Sequence, residues 1–169
     1  MYSGHKQCHG IKFQGVVAPD GMFVSLFGPI EGSRHNLYML LESGLLPKLV
    51  AMFPENTNQF TLFGDPAYPQ SAQIIGGFCY AVAGSEEARW NTAMSKVRQC
   101  VEWGFNEVLK QWKFLNHLPS MKVFELPLGH YYFVGCFLTN LLTCLYGNQT
   151  TRHFNTRAPS VEEYLELID

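Results

Sequence analysis

Along CHGIKFQGVVA, Ile11, Phe13, Gly15 and Val17 alternate with Lys12, Gln14 and Val16, the period expected of a strand. Pro19-Asp20-Gly21 supplies turn chemistry and MFVSLFGPI returns as a second strand ended by Gly28-Pro29, so the chain begins with a hairpin. The period changes in GSRHNLYMLLESGLL. Leu37, Leu40, Leu41 and Leu45 fall at helical spacing, Asn36 or Ser33 can cap the helix, and Pro47 with PENTN closes it. QFTLFGD then reads as a short buried strand, Gln59 to Gly64, with Asp65 at its C-terminal end. The Gly- and Ala-rich PQSAQIIGGFCYAVAGS has no clear period and is expected as a long loop with one short strand. From Glu86 to Leu115, Trp90, Met94, Val97, Val101, Phe105, Val108, Trp112 and Leu115 step by three or four, which predicts a long amphipathic helix, bent or loosened at Gly104. A further helix is expected over Tyr131 to Tyr146, and the Ser160-x-x-Glu163 capping box opens a short terminal one. This order is α/β: a single domain over residues 1–169, with the hairpin and the Gln59–Gly64 strand in one sheet and the long helix packed on it.

Composition narrows the function classes. At 169 residues, 47% hydrophobic, 14% aromatic and 15% charged, the chain has material for a core and does not read as disordered. A formal charge of −2 gives no bulk attraction to nucleic acid or anionic lipid, so any DNA affinity needs a local patch or a partner. Five scattered cysteines (Cys8, Cys79, Cys100, Cys136 and Cys144) with no CxxC point to buried thiols in a reducing compartment, not to a disulfide frame or a zinc site. MYSGHKQCHG has no apolar core of a secretory signal. The run Tyr131 to Tyr146 contains Thr139, Asn140 and Thr143 and falls short of the roughly 20 apolar residues of a membrane span, so a buried helix is expected. In an intracellular chain the Asn148-Gln-Thr sequon has no glycosylation role.

The acids are the candidates for chemistry. In LFGDPAYPQ an Asp follows an apolar run and precedes two prolines; as a turn former, Asp65 needs no further reason to be there. Glu102 lies one step off the apolar stripe of the long helix with Arg98 four residues before it, the spacing of a surface ion pair. The alternative joins the two acids: carboxylates at a strand end and on a covering helix can converge on Mg²⁺ or Mn²⁺, which take one or two protein carboxylates plus water and phosphate. Two such ions make the clamp of nucleases and polymerases. His35 reads as a turn cap or a contact to phosphate or metal, and His5 and Lys6 as a solvated pair or a DNA-backbone contact. Lys96, Arg98, Lys110 and Lys113 form a solvated helix face or a phosphate-binding strip.

Several stretches occur in one order: YSGHKQCHGIKFQGVVAPDGMFVSLFGPIEGSRHN, LLESGLL, LFGDPAYP, WNTAMSKVRQCVEWGF, TNLLTCLYGNQTT and PSVEEYL. Together they resemble the DDE superfamily endonuclease domain of Harbinger-type transposases and the nucleases derived from them, over nearly the whole chain. The resemblance implies an RNase H-like mixed sheet with flanking helices, and DNA cleavage by three acidic residues with divalent metal. By position, Asp65 in GDPAY is similar to the second acid and Glu102 in VEW to the third, so these two are the implied catalytic and metal-binding residues. The first acid of that family stands on a strand before the YSGHK motif. This sequence starts inside that motif, so the first strand and its Asp are expected to be missing, and with them cleavage activity. Where the family reads His-Asp this chain has His35-Asn36, and Asn106 stands where Gly is usual. Related elements encode a separate Myb-like DNA-binding protein, which makes such a protein the implied partner and the nucleus or cytoplasm the implied location. The competing readings are a non-catalytic scaffold acting through that partner and a plain structural α/β domain.

Overall fold

The computed structural model describes residues 2–3, 8–52, 61–116 and 126–166. Its architecture is mixed α/β, in the order β1 (Tyr2–Ser3), β2 (Cys8–His9), β3 (Ile11–Val17), β4 (Phe23–Glu31), α1 (Asn36–Glu42), α2 (Leu45–Met52), β5 (Leu62–Phe63), β6 (Ile74–Ile75), α3 (Glu86–Gln111), a 3₁₀ turn at Lys113–Asn116, α4 (Leu128–Tyr146), α5 (Gln149–Phe154) and α6 (Val161–Glu166). The chain divides into two compact units, each discontinuous in sequence: Met1–Gln14 with Ile30–Gln99, and Gly15–Pro29 with Cys100–Asp169.

The hairpin forms as its alternation predicts, with β3 paired to β4 and the turn closed by Gly21 N–H to Ala18 O and Ala18 N–H to Met22 O. Strand β4 does not end at Gly28-Pro29 but runs on to Glu31. In a two-stranded sheet each strand has a free edge, where a proline's missing N–H costs no ladder bond. Among the described residues the hairpin and the Asp65 strand do not share a sheet. Among the described residues the ladders are three separate pairs, β1–β2, β3–β4 and β5–β6, and β5 takes the nearby β6 as a parallel partner. The part of the expected strand at Gln59 and Phe60 lies outside the described residues, as do PENTN, His5 and Lys6.

In the first unit the leucine-rich helix is two helices, because Gly44, at φ 61°, turns the chain after Ser43. Its N-cap is His35 and no side chain caps it, so neither Asn36 nor Ser33 has that role. Pro47 lies inside α2, in the first turn, where an N–H has no intrahelical partner to lose. Met39, Leu40, Leu45 and Ile74 are the buried apolar residues among those described in this unit.

The second unit holds the hydrophobic core: Phe23, Val108 and Cys136, with Val17, Leu26, Phe105, Trp112, Leu115 and Tyr132 packed against them. The long helix forms but ends at Gln111, short of the expected Leu115, and of its buried residues Cys100, Gly104 and Val108 only Val108 lies on the expected stripe. Gly104 is there for close approach: a Cβ would stand 3.0 Å from the Phe23 ring, and the helix continues through it. Helix α4 is buried on one side only; Val134, Leu145 and Tyr146 are exposed. It is the one helix among the described residues long and apolar enough to cross a membrane, yet its polar side chains are used inside the unit. Thr139 Oγ1 accepts from Trp112 Nε1 at 3.0 Å, and Asn140 bonds both backbone groups of Phe23 at 2.9 Å. Of the thiols, Cys100 and Cys136 are buried as expected, whereas Cys79 is exposed. Asn148 of the sequon N-caps α5, its side chain accepting from Thr150 and Thr151 N–H and donating to Gly21 O. The Ser160–Glu163 capping box forms as read, with Glu163 accepting from Ser160 N–H at 2.7 Å.

Candidate functional site

Asp65 follows β5 and is held by the turn that its own side chain helps to build. Tyr68 N–H bonds to Asp65 O at 2.8 Å, and Asp65 Oδ1 accepts from Ala67 N–H at 3.0 Å. Pro66 between them presets the backbone angle the turn requires. The strand end is fixed from the other side by the parallel ladder, in which Leu62 N–H bonds to Gln73 O and Gly64 N–H to Ile75 O. Ser71 Oγ accepts from Ile74 N–H and thereby closes the return loop.

Behind the turn runs a relay of polar side chains. Tyr68 donates its hydroxyl to Gln14 Oε1 at 3.3 Å, Gln14 Nε2 donates to Ser43 Oγ at 3.2 Å, and Ser43 donates to Leu40 O at 2.8 Å. Burial, and after it the Asp65 charge, push the Tyr68 phenol above its ordinary range, so it stays a proton donor. Alternation in β3 gave no hint that Gln14 is buried. Its place between Tyr68 and Ser43 accounts for it, since a buried amide needs partners.

The second oxygen of Asp65 meets Arg98: Nη1 lies 3.3 Å from Oδ2, with the side chains 30% and 42% exposed for Arg98 and Asp65. Arg98 thus takes a partner 33 residues away, and the local pairing with Glu102 expected from helical spacing is not the contact it makes. Glu102 itself is exposed, four residues further along α3 and in the second unit; Asp65 and Arg98 belong to the first.

Asp65 fits a hard divalent cation as one ligand. It is a half-exposed carboxylate oriented by its turn, but its Oδ2 faces the Arg98 guanidinium, a positive charge that opposes a cation there. Among the described residues no three His, Cys, Asp or Glu side chains gather to form a larger donor set.

The basic strip is divided. Lys96 is exposed and Arg98 is engaged, whereas Lys110 and Lys113 line an open cleft of about 850 Å³ in the second unit together with Asn106, Leu109 and Asn116. His35 is exposed at the start of α1 and makes no capping bond with its side chain.

Comparison with known proteins gives one family. The sequence matches the DDE superfamily endonuclease family over residues 1–140, a span that takes in Asp65, Arg98 and Glu102. No curated protein and no solved structure matches the chain.

Proposed function

The chain belongs to the DDE superfamily endonuclease family, and on that premise we propose that it is a transposase-derived endonuclease domain of Harbinger type, built on an RNase H-like fold, with Asp65 and Glu102 as its motif acids. The observation that carries this reading is the family match itself, which spans both acids in their motifs, GDPAY and VEW. The family as a whole acts on DNA with divalent metal. Asp65 would hold Mg²⁺ or Mn²⁺ through Oδ2 and Glu102 through its exposed carboxylate. The cation, when bound, would supply charge neutralisation at the phosphate and a more acidic water. The chain's own part is positioning: the Asp65 turn aims one carboxylate, and α3 carries the other.

On its own the domain is catalytically deficient in this reading. The family mechanism wants three acids, and the motifs matched in this sequence supply two, Asp65 in GDPAY and Glu102 in VEW. With a net charge of −2 and one basic side chain of the α3 strip already paired, it binds DNA weakly, and a Myb-like DNA-binding partner would supply affinity inside the nucleus or cytoplasm. A non-catalytic scaffold acting through that partner is the second reading. What favours it is the Arg98 ion pair, which already neutralises the Asp65 charge.

Supercoiled plasmid incubated with the purified chain and Mg²⁺ or Mn²⁺ tests both. The expected result is no nicking above that of Asp65→Ala. Metal-dependent nicking that disappears in Asp65→Ala would overturn the deficiency and exclude the scaffold reading. DNA binding is expected to be weak at low salt and to fall steeply as salt rises; tight binding that survives moderate salt would show a recognition element other than phosphate contact.

A further inference from the structure

Helix α4 has two faces, and the second unit covers one of them. Gly135, Cys136, Thr139, Asn140 and Thr143 are buried on the covered side. On the other side Val134, Phe137, Leu141 and Leu145 recur at spacings of three, four and four, the seam of a helix that packs lengthwise on another helix. The seam is open to water: Val134 is 54% exposed, Phe137 38% and Leu145 60%, with Leu141 half-buried. Helix α6 reaches it at Phe137, whose ring lies 6.0 Å from that of Tyr164, and leaves Leu165 exposed. At the other end Tyr131 and Phe114, both exposed, meet edge to face at 6.1 Å.

Area and charge decide what covers this face. Scaled by exposure, the seam with Tyr131, Phe114 and Leu165 presents roughly 500 Å² of apolar surface. A standard interface buries about 800 Å² per partner, some three-fifths of it apolar, so roughly 500 Å² is what a stable dimer needs. Helix α4 carries no Asp, Glu, Lys or Arg, and His130 in its first turn is its one titratable base. It therefore offers no charge complementarity to a foreign partner, and its lack of charge is that of a homodimer core. A lipid surface fits less well. Helices that lie on membranes flank their apolar face with Lys and Arg, whereas the far side of α4 spends Thr139, Asn140 and Thr143 on hydrogen bonds within the unit.

We propose that the exposed face of α4 is a homodimer interface, in which two copies of this chain pack their α4 helices antiparallel. A two-fold axis near the middle of the seam sets Val134 of each copy against Leu145 of the other and Phe137 against Leu141. Apolar side chains then face one another along about 17 Å of helix, with the two macrodipoles opposed. The inference is independent of the nuclease reading.

Sedimentation velocity of the intact chain, from sub-micromolar to tens of micromolar, tests it, with circular dichroism recorded on every variant. The parent should pass from one chain to two as concentration rises, and its melting temperature should rise with it. Val134→Glu with Leu145→Glu places like charges opposite each other and should weaken association at least tenfold while helix content is kept. Val134→Glu with Leu145→Lys adds two charges as well, but in the antiparallel pair they face their opposites, so this variant should stay within about tenfold of the parent. Tyr80→Glu, at a residue 95% exposed in the first unit, should leave association unchanged. The proposal is overturned if the parent stays monomeric throughout, if the double Glu variant associates like the parent, or if the Glu/Lys variant is as weak as the double Glu variant. It is equally overturned if the parent floats as a monomer with phosphatidylcholine vesicles, which would make lipid the occupant.

Discussion

Asn140 on α4 and Asn91 on α3 perform the same act: each uses one side-chain amide to bond both the N–H and the C=O of a single phenylalanine, Phe23 and Phe78 respectively, at 2.9 Å throughout. Their surroundings differ. Asn140 is 3% exposed and also donates to the Tyr164 hydroxyl, inside the core of the second unit. The Asn91 bonds are exposed and hold a loop of the first unit, where Phe78 packs edge-on against Trp90 at 5.3 Å. Water can replace one clip and cannot reach the other. The same geometry is thus a condition of folding in the second unit and a local convenience in the first. Asp65 and Arg98 sit on the wet side of this divide. Contacts that water can substitute are the ones able to change partners at small cost, which is what a ligand site requires.

Four measurements break or sharpen this contrast. Replacing Asn140 by Ala strands the N–H and C=O of Phe23 where no water enters, and should destabilise the protein by about 3 kcal/mol in urea denaturation. A loss below 1 kcal/mol would mean the core is wet after all. Comparable in size, over its whole pH window, is an alkaline effect on the same core. Burial pushes the Cys136 thiol from its ordinary 9.0 up to about 12. The folded state therefore retains a proton that the unfolded chain releases. The associated stability is complete below pH 9 and drains away as pH rises toward 12, at about 1.4 kcal/mol per pH unit. Cys136→Ala should show a shallower decline over that window, and identical slopes would refute the sealed core. Asn148→Ala removes the α5 cap and its bond to Gly21, for which a cost of about 1 kcal/mol is expected; Asn148→Asp, which still caps, should recover most of it. Smallest is Asn91→Ala, expected to cost less than about 1 kcal/mol globally while accelerating amide exchange at Phe78. A cost matching that of Asn140→Ala would erase the distinction between the two clips.

The sequence displays what repeats and conceals what reaches. The β3 alternation, the three-and-four stepping of α3 and the Ser160–Glu163 box all depend on residues close in the chain, and each element appears, α3 ending one turn early at Gln111. The Asn148 cap was equally local, an Asn followed three residues later by Thr151, and was legible by the same capping rule, although its spacing also spells a sequon. Strand partners were harder. Phe63 pairs with Ile75 because the Asp65–Tyr68 turn and the Ser71 loop bring a neighbouring segment back, and nothing in QFTLFGD announces which segment that is. At the site, the Asp-Pro turn was readable, but the partner of Arg98 was not. Helical spacing marks which residues share a face and is silent about what a long side chain meets across to another element.

The bond from Phe23 to Asn140 closes a separation of 117 residues. On a ribosome adding about 5–20 residues per second, Phe23 emerges roughly 6–23 s before the residue that satisfies it has even been made. Through that interval the strand around Phe23 offers an apolar ring and two unclaimed backbone groups to whatever is nearby. Nascent β4 is thus a point of exposure during synthesis, where a chaperone or a second nascent chain meets the protein before its own helix does.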